Sequence, residues 1–185
     1  MMKTILVGIG EGLGKFQQAD GSFVYGVKIA RERIVLAESL YKVWQVANFA
    51  SYALEEFTKL LELGLDEIKA CVSTLKKQGL IIDSSELLSL SVYTDYVAIP
   101  KGSIVAKGNE EFEFTEFHNA PSNTLSLAAV TVWRMANPLY SLNVLVDRLV
   151  EVIGLPRENI IKMLAEAIPY LISNGSISLD RAQQV

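Results

Sequence analysis

The sequence contains very few of the residues that form reactive or cross-linked sites. Among 185 residues there are one cysteine, Cys71, and one histidine, His118. A single cysteine excludes a disulfide within the chain. These two residues cannot complete a tetrahedral zinc site by themselves, and no spacing of carboxylates supports one. The sequence therefore predicts no catalytic residues, no metal and no cofactor, and it favours a non-enzymatic protein.

The chain also lacks long apolar segments and an excess of positive charge. It has no run of about 18 uncharged apolar residues, which a membrane-spanning helix would need. The start of the chain, Met1–Thr4, lacks the long apolar region of a secretory signal. The formal net charge of −4 gives no general attraction to nucleic acid or anionic lipid. We expect a soluble cytoplasmic protein with a packed core and no membrane partner.

The most informative feature that is present is an internal repeat. Three short blocks recur in the same order at an offset of 89 or 90 residues. They are VWQVAN at 43–48 and VWRMAN at 132–137, VGIGEG at 7–12 and VAIPKG at 97–102, and LGL at 63–65 and IGL at 153–155. Such periodicity sets the architecture of a chain. Two copies predict two tandem units, residues 1–90 and 91–185, related by a pseudo-two-fold axis.

In the first unit, extended segments are predicted before the helices. The β-branched and apolar run at 4–9 predicts a strand. The turn residues Ala19–Ser22 predict a hairpin between strands at 15–18 and 23–29. Arg33–Leu36 has the pattern of another short strand.

Helical periodicity follows these strands. Five apolar residues with helical spacing predict the first helix: Leu36, Leu40, Val43, Trp44 and Ala47. A second helix is predicted over Tyr52–Leu63 and ends at Gly64. A third helix is capped by Asp66 and stops at Gly79, after which Leu80–Ile82 is extended.

The end of the first unit resembles the second and third helices of a winged helix-turn-helix. The matching features are the short turn Leu63–Leu65, the apolar positions three and four residues apart up to Leu75, and the exit Gly79–Ile81 into a wing. The resemblance covers about 45 residues. It implies a small three-helix unit whose third helix can face a DNA groove.

The second unit repeats this plan. Strands are predicted over 95–107 and 111–117, and the second helix over Ser141–Ile153. The third helix begins near Pro156, and Pro169 is expected to kink or break it. The first helical face recurs as Leu125, Ala129, Val132, Trp133 and Ala136. The predicted fold class is α+β, with two winged-helix-like units that each contain a small antiparallel sheet and about three helices.

The order of strands before helices also resembles the PqqD-like peptide-binding domains. Such domains present a sheet edge and a third helix to a leader peptide. The resemblance lies in the topology and in the run from Trp44 to Gly79–Ile81. It implies that a peptide could bind along a sheet edge.

The glycine-rich stretch Gly8–Lys15 is not a phosphate-binding loop. A Walker A loop would need glycine at the position of Ile9 and serine or threonine at the position of Phe16. A hairpin in place of a helix would also leave a phosphate without a helix N-terminus. We interpret these glycines as relief of crowding in a bulged or twisted strand.

Two further patterns are interpreted as structural. Trp44 and Trp133 occupy equivalent positions on apolar helix faces and are predicted to pack in the core. The segment 111–117 begins with a strict alternation of glutamate and phenylalanine, so Phe112 and Phe114 are predicted to face inward. The acidic residues then face water: Glu110, Glu111, Glu113 and Glu116.

Candidate contacts with a partner lie on the polar side of the third helix of the first unit. They are Lys69, Ser73, Lys76 and Lys77. A winged helix presents its major-groove contacts from this side. Asp66 and Glu67 in the first turn of that helix oppose an approach to DNA.

Three functions follow from these observations. The favoured one is a recognition module that binds a protein or peptide, or a second copy of itself, through a sheet edge or a helix groove. The alternative is a tandem winged-helix DNA-binding regulator, in which DNA is the partner. An enzyme is the least favoured, because no nucleophile, base or metal constellation is present.

Overall fold

The computed structural model describes residues 5–49, 54–106, 112–115 and 123–183, and it confirms the α+β fold class. The strands are β1 (Leu6–Gly8), β2 (Glu11–Gln17), β3 (Phe23–Ile29), β4 (Glu32–Leu36), β5 (Ile81–Asp83), β6 (Tyr96–Pro100), β7 (Ser103–Ala106), β8 (Phe112–Thr115), β9 (Asn123–Leu125) and β10 (Ile177–Arg181). The helices are α1 (Glu38–Phe49), α2 (Leu54–Leu61), α3 (Leu65–Lys77), α4 (Leu90–Asp95), α5 (Leu127–Met135), α6 (Leu142–Ile153) and α7 (Arg157–Ser173), with a 3-10 helix at Ser84–Leu88.

The first sheet, β2-β3-β4, is antiparallel and stands directly before α1. The predicted turn at Ala19–Ser22 is confirmed, and the Asp20 carboxylate closes it by accepting a hydrogen bond from the Ser22 N–H at 2.9 Å. One face of the sheet packs on α1, where the Tyr25 and Tyr41 rings stack with centroids 4.6 Å apart. The sheet and the helices therefore share one core.

The same order of elements occurs in both halves of the chain. A strand, a three-stranded sheet, three helices and a closing strand follow one another twice, and each closing strand pairs antiparallel with the first strand of its half. Gly8 lies opposite Ile81, and Pro100 lies opposite Ile177. The division into units 1–90 and 91–185 and their pseudo-two-fold relation stay predictions.

The two halves are joined through the last strand. Ile9 forms a parallel bridge with Leu179 of β10, and the Gly10 N–H donates to the Leu179 carbonyl at 2.7 Å. Buried residues of both halves form one hydrophobic cluster. The Tyr93 hydroxyl, on α4, donates to the Leu87 carbonyl at 2.7 Å and fixes the connecting segment.

Several predicted helix boundaries were wrong. Leu36 belongs to β4 and not to the first helix. The second helix ends at Leu61, because Glu62 turns the chain with a positive φ of 54°. Gly64 is the N-cap of α3 rather than the end of α2, and Asp66 lies within the first turn. Capping geometry depends on φ and ψ, which composition alone does not specify.

The exit from α3 is only partly as predicted. Gly79 ends the helix with φ +68°, and β5 follows it. However, β5 pairs with β1 at the start of the chain and not with a second wing strand. The next residues form the 3-10 helix and α4, which the sequence did not predict.

Pro169 does not break α7, which runs as one helix from Arg157 to Ser173. Proline removes one backbone hydrogen bond from a helix interior. The neighbouring side chains Ile168, Leu171 and Ile172 are buried. Tertiary packing on these residues offsets the lost bond, as it does for most helical segments in folded proteins.

Candidate functional site

The predicted contact residues on α3 do not form one free cationic cluster. Lys69, Ser73 and Lys77 are exposed. Lys76 is half-buried and its ammonium group pairs with the Asp83 carboxylate, which also caps the 3-10 helix. Lys76 therefore holds the end of α3 against the end of β5.

The charge on the exposed face of α3 is balanced. Asp66 and Glu67 are exposed in the first turn, and the Lys69 ammonium lies 4.0 Å from the Asp66 carboxylate. A phosphate backbone would meet these acids first at the helix end that usually approaches the bases. The face can contact a partner, but it offers little net attraction to DNA.

The equivalent helix of the second half, α7, is less accessible. Eight of its residues are buried: Ile160, Ile161, Leu164, Ala167, Ile168, Pro169, Leu171 and Ile172. It contacts α5, α6, the 3-10 helix and α1. Its exposed strip carries Glu158 and Glu166 against Lys162. This strip repels phosphate, so α7 is poorly suited to enter a groove of DNA.

The glycine-rich stretch Gly8–Lys15 relieves crowding in a bulged strand, as predicted. The register between β2 and β3 shifts between Gly12 and Gly14, which is a β-bulge. A Cβ on Gly8 would lie 2.8 Å from the Asn48 Cβ, so glycine allows β1 to cross α1 closely. The stretch continues into β2 and not into a helix, so no helix N-terminus is available to a phosphate.

The two tryptophans are packed as predicted. Trp44 is fully buried, and its indole N–H donates to the Ile9 carbonyl at 2.9 Å. Trp133 is half-buried and donates to the Lys101 carbonyl at 2.9 Å. Each indole therefore ties the first helix of its half to the end of the first strand.

The other residues that were considered from the sequence are either buried or outside the described ranges. Phe112 and Phe114 are buried as predicted, whereas His118, Glu110, Glu111 and Glu116 lie outside the described ranges. Cys71 is buried, and burial raises the pKa of its thiol. Within residues 5–49, 54–106, 112–115 and 123–183, no three histidine, cysteine or acidic side chains are grouped to hold a metal.

The structure offers a site that the sequence did not single out, the open edge of β4. Among the strands described, β4 is bonded only to β3. Their hairpin has the two-residue loop Ala30-Arg31, and the residues that flank such a loop exchange hydrogen bonds. Glu32, Ile34 and Leu36 therefore bond to β3. The backbone N–H and C=O groups of Arg33 and Val35 point to the open side.

The other sheet edges are less regular. β2 is interrupted by its bulge, which is a common way to protect an edge from pairing. β9 has three residues, and both β7 and β9 adjoin segments outside the described ranges. In contrast, all five residues of β4 pair with β3 in unbroken register. The strands β6 and β10 pair with each other as regularly, but their other sides are bridged to Ser141 and Ile9. β4 is the most regular open edge that the structure describes.

The face of the first sheet that points away from α1 is partly apolar. It carries Phe16, Val24 and Val35, with Val35 52% exposed. The Arg33 guanidinium lies 3.8 Å from the centre of the Phe16 ring, a cation–π contact. A Cβ on Gly26 would lie 2.9 Å from the Phe16 ring, so glycine leaves room for this ring. The β4 edge thus adjoins an ordered surface of mixed apolar and cationic character.

The β3–β4 hairpin is held in place by a contact with β10. The Ala30 N–H donates to the Asp180 carboxylate at 2.7 Å, although Ala30 has a positive φ of 50°. The Arg181 guanidinium donates to the Gln78 carbonyl at 3.1 Å. A shallow cavity of about 500 Å³ lies between the hairpin loop and residues 181–183. The second half thus fixes the hairpin that carries the edge.

The sequence predicted the strand at this site but not its position at a sheet edge. Arg33–Leu36 was predicted as a strand, and its alternation of exposed and buried side chains is consistent with that prediction. Whether a strand lies at an edge depends on which strands pair, and pairing is set by distant contacts. The open edge therefore became visible only in the folded chain.

Comparison of the chain with family models, with curated proteins and with solved structures gives no match. None of the helices in the described part of the chain is long and apolar enough to span a bilayer.

Proposed function

We propose that this chain is a non-enzymatic recognition module that binds an extended peptide segment of a protein partner along the open edge of β4. The observation that carries the proposal is the regular five-residue edge, at which the backbone groups of Arg33 and Val35 face outward. Added strands gain affinity from main-chain hydrogen bonds and specificity from alternate side chains. The hydrogen bond from Ala30 to Asp180 supports a preordered edge, which reduces the entropy lost on binding.

A second candidate function is binding of duplex DNA through α3. It is favoured by the exposure of Lys69, Ser73 and Lys77 on one helix of winged-helix-like order. It is opposed by Asp66 and Glu67 on the same face and by the ion pair of Lys76.

A random peptide library displayed on phage tests the first function. Peptides are selected on the full chain and counted again on the Val35→Pro variant, in which proline removes the outward N–H without removing a bond to β3. We expect enriched peptides to lose at least about tenfold in affinity on Val35→Pro, which equals about 1.4 kcal/mol. Leu139→Ser, at a side chain that is 81% exposed elsewhere, is the matched control and should bind as the wild type does.

Peptides that bind the wild type and Val35→Pro equally would contradict the edge as the site. Circular dichroism and urea unfolding of each variant establish that it is folded before affinities are compared. Binding to random-sequence duplex DNA at low and physiological salt tests the second function. A steep loss of DNA binding with salt, reduced by Lys69→Glu and Lys77→Glu, would favour the regulator over the peptide-binding module.

A further inference from the structure

The charges beside the β4 edge form a row that is incomplete. Three side chains lie directly across the three strands: Glu11 on β2, Lys28 on β3 and Arg33 on β4. All three are exposed on the face that points away from α1. Like charges directly opposite each other, as in Lys28 and Arg33, destabilise a sheet, and only Lys28 has an acidic residue, Glu11, on its other side. In the described part of the chain, no ion pair involves either of these cations.

The other residues of β4 determine which side chains a fourth strand would meet. On the same face as Arg33, the next position along β4 is the exposed apolar Val35. On the opposite face lie Glu32, the half-buried Ile34 and the buried Leu36. A strand antiparallel to β4 passes these residues in reverse order, from Leu36 to Glu32.

Resting on the proposed function, we infer that the partner segment is an extended peptide with three apolar residues followed by an acidic and then a basic residue. The acidic side chain lies opposite Arg33, whose guanidinium leaves the Phe16 ring and turns to the open edge to pair with it. The basic side chain lies opposite Glu32. The apolar residues lie opposite Leu36, Val35 and Ile34. Cross-strand pairs of this kind are the unit of sheet stabilisation and fix the register of the added strand.

The same register disfavours a second copy of the chain as the occupant. Two antiparallel β4 strands form the most hydrogen bonds when they pair about Ile34, because Arg33 and Val35 of each copy then both bond to the other copy. This register places Arg33 opposite Val35 of the other copy and Glu32 opposite Leu36. Neither charge then meets an opposite charge, and the repulsion between Lys28 and Arg33 persists.

A charge-exchange experiment tests the inference. The probe is a fluorescein-labelled synthetic peptide, Leu-Val-Ile-Glu-Lys flanked by Gly-Ser, and a second peptide has Arg in place of its Glu. Binding is measured by fluorescence anisotropy with the wild type and Arg33→Glu. We expect each single charge reversal to weaken binding about fivefold to tenfold, and the double exchange to restore most of the affinity.

Two variants separate charge from other effects of the Arg33 side chain. Arg33→Lys keeps the charge but loses the planar guanidinium that stacks on Phe16, so it should bind the Glu peptide more weakly than the wild type and more tightly than Arg33→Glu. Lys162→Glu reverses the charge of an exposed residue on α7, away from the edge, and should leave both affinities unchanged. Loss of binding in Arg33→Lys as large as in Arg33→Glu would overturn the charge assignment.

The outcomes distinguish this inference from the proposed function. If both peptides bind equally well and Val35→Pro abolishes binding, the edge is the site but the acidic partner is wrong. If Val35→Pro has no effect on binding, the proposed function fails. A wild type of twice the monomer mass in light scattering, which Val35→Pro converts to a monomer, would overturn the peptide in favour of a second copy.

Discussion

Replacing Ala30 by glycine should stabilise this protein, although a methyl group is lost. Ala30 is the first residue of the loop between β3 and β4 and has φ +50°, where an L side chain costs about 1–2 kcal/mol. Glycine adopts this conformation freely but loses more backbone entropy on folding, about 0.5–1 kcal/mol. The hydrogen bond from the residue-30 N–H to Asp180 is kept. The free energy of unfolding should therefore rise by about 0.5–1 kcal/mol.

The assay is urea unfolding followed by circular dichroism, with Ala70→Gly as the matched control. Ala70 is exposed within α3, where the same substitution should lower the free energy of unfolding by about 1 kcal/mol. The two variants should thus shift the midpoint in opposite directions. A destabilisation by Ala30→Gly equal to that by Ala70→Gly would refute the argument that the loop is strained.

Three further predictions concern the core. Trp44→Phe removes the indole N–H that donates to the Ile9 carbonyl in a fully buried position. Urea unfolding should show that the free energy of unfolding falls by about 2 kcal/mol or more. A fall of less than about 0.5 kcal/mol would contradict the stabilising role of this hydrogen bond. Gly8→Ala places a methyl 2.8 Å from a neighbouring Cβ and should cost about 1–3 kcal/mol, whereas Gly64→Ala, which meets nothing within 4 Å, should cost less. Cys71 is buried, and burial raises the pKa of its thiol, so at pH 8 a thiol reagent should react more slowly with the native than with the unfolded chain. Equal rates would show an accessible thiolate.

Local signals in the sequence predicted most elements of the first half correctly. The turn at Ala19–Ser22, the strand that ends at Leu36 and the helix stop at Gly79 each depend on the preference of a few residues for particular φ and ψ angles. The same reasoning placed Leu36 in a helix because its spacing also fits that period. In the structure Leu36 pairs with Tyr25 and therefore belongs to the strand.

Features that depend on distant contacts were missed. β5 pairs with β1 across more than seventy residues, and β10 reaches Ile9 of the other half. Neither pairing can be recognised from the local pattern of side chains. The open edge of β4 is the absence of such a pairing, so it could not be predicted from residues 32–36 alone.

The most direct test of the central claim is amide hydrogen exchange of Arg33 and Val35, measured by NMR with and without the Leu-Val-Ile-Glu-Lys peptide. Both N–H groups face outward in the free chain and should exchange at least about tenfold more slowly in the complex, because they then donate to the added strand. The amides of α3 should be unaffected. Unchanged exchange at Arg33 and Val35 under saturating peptide, with new protection on α3 instead, would contradict binding at the β4 edge.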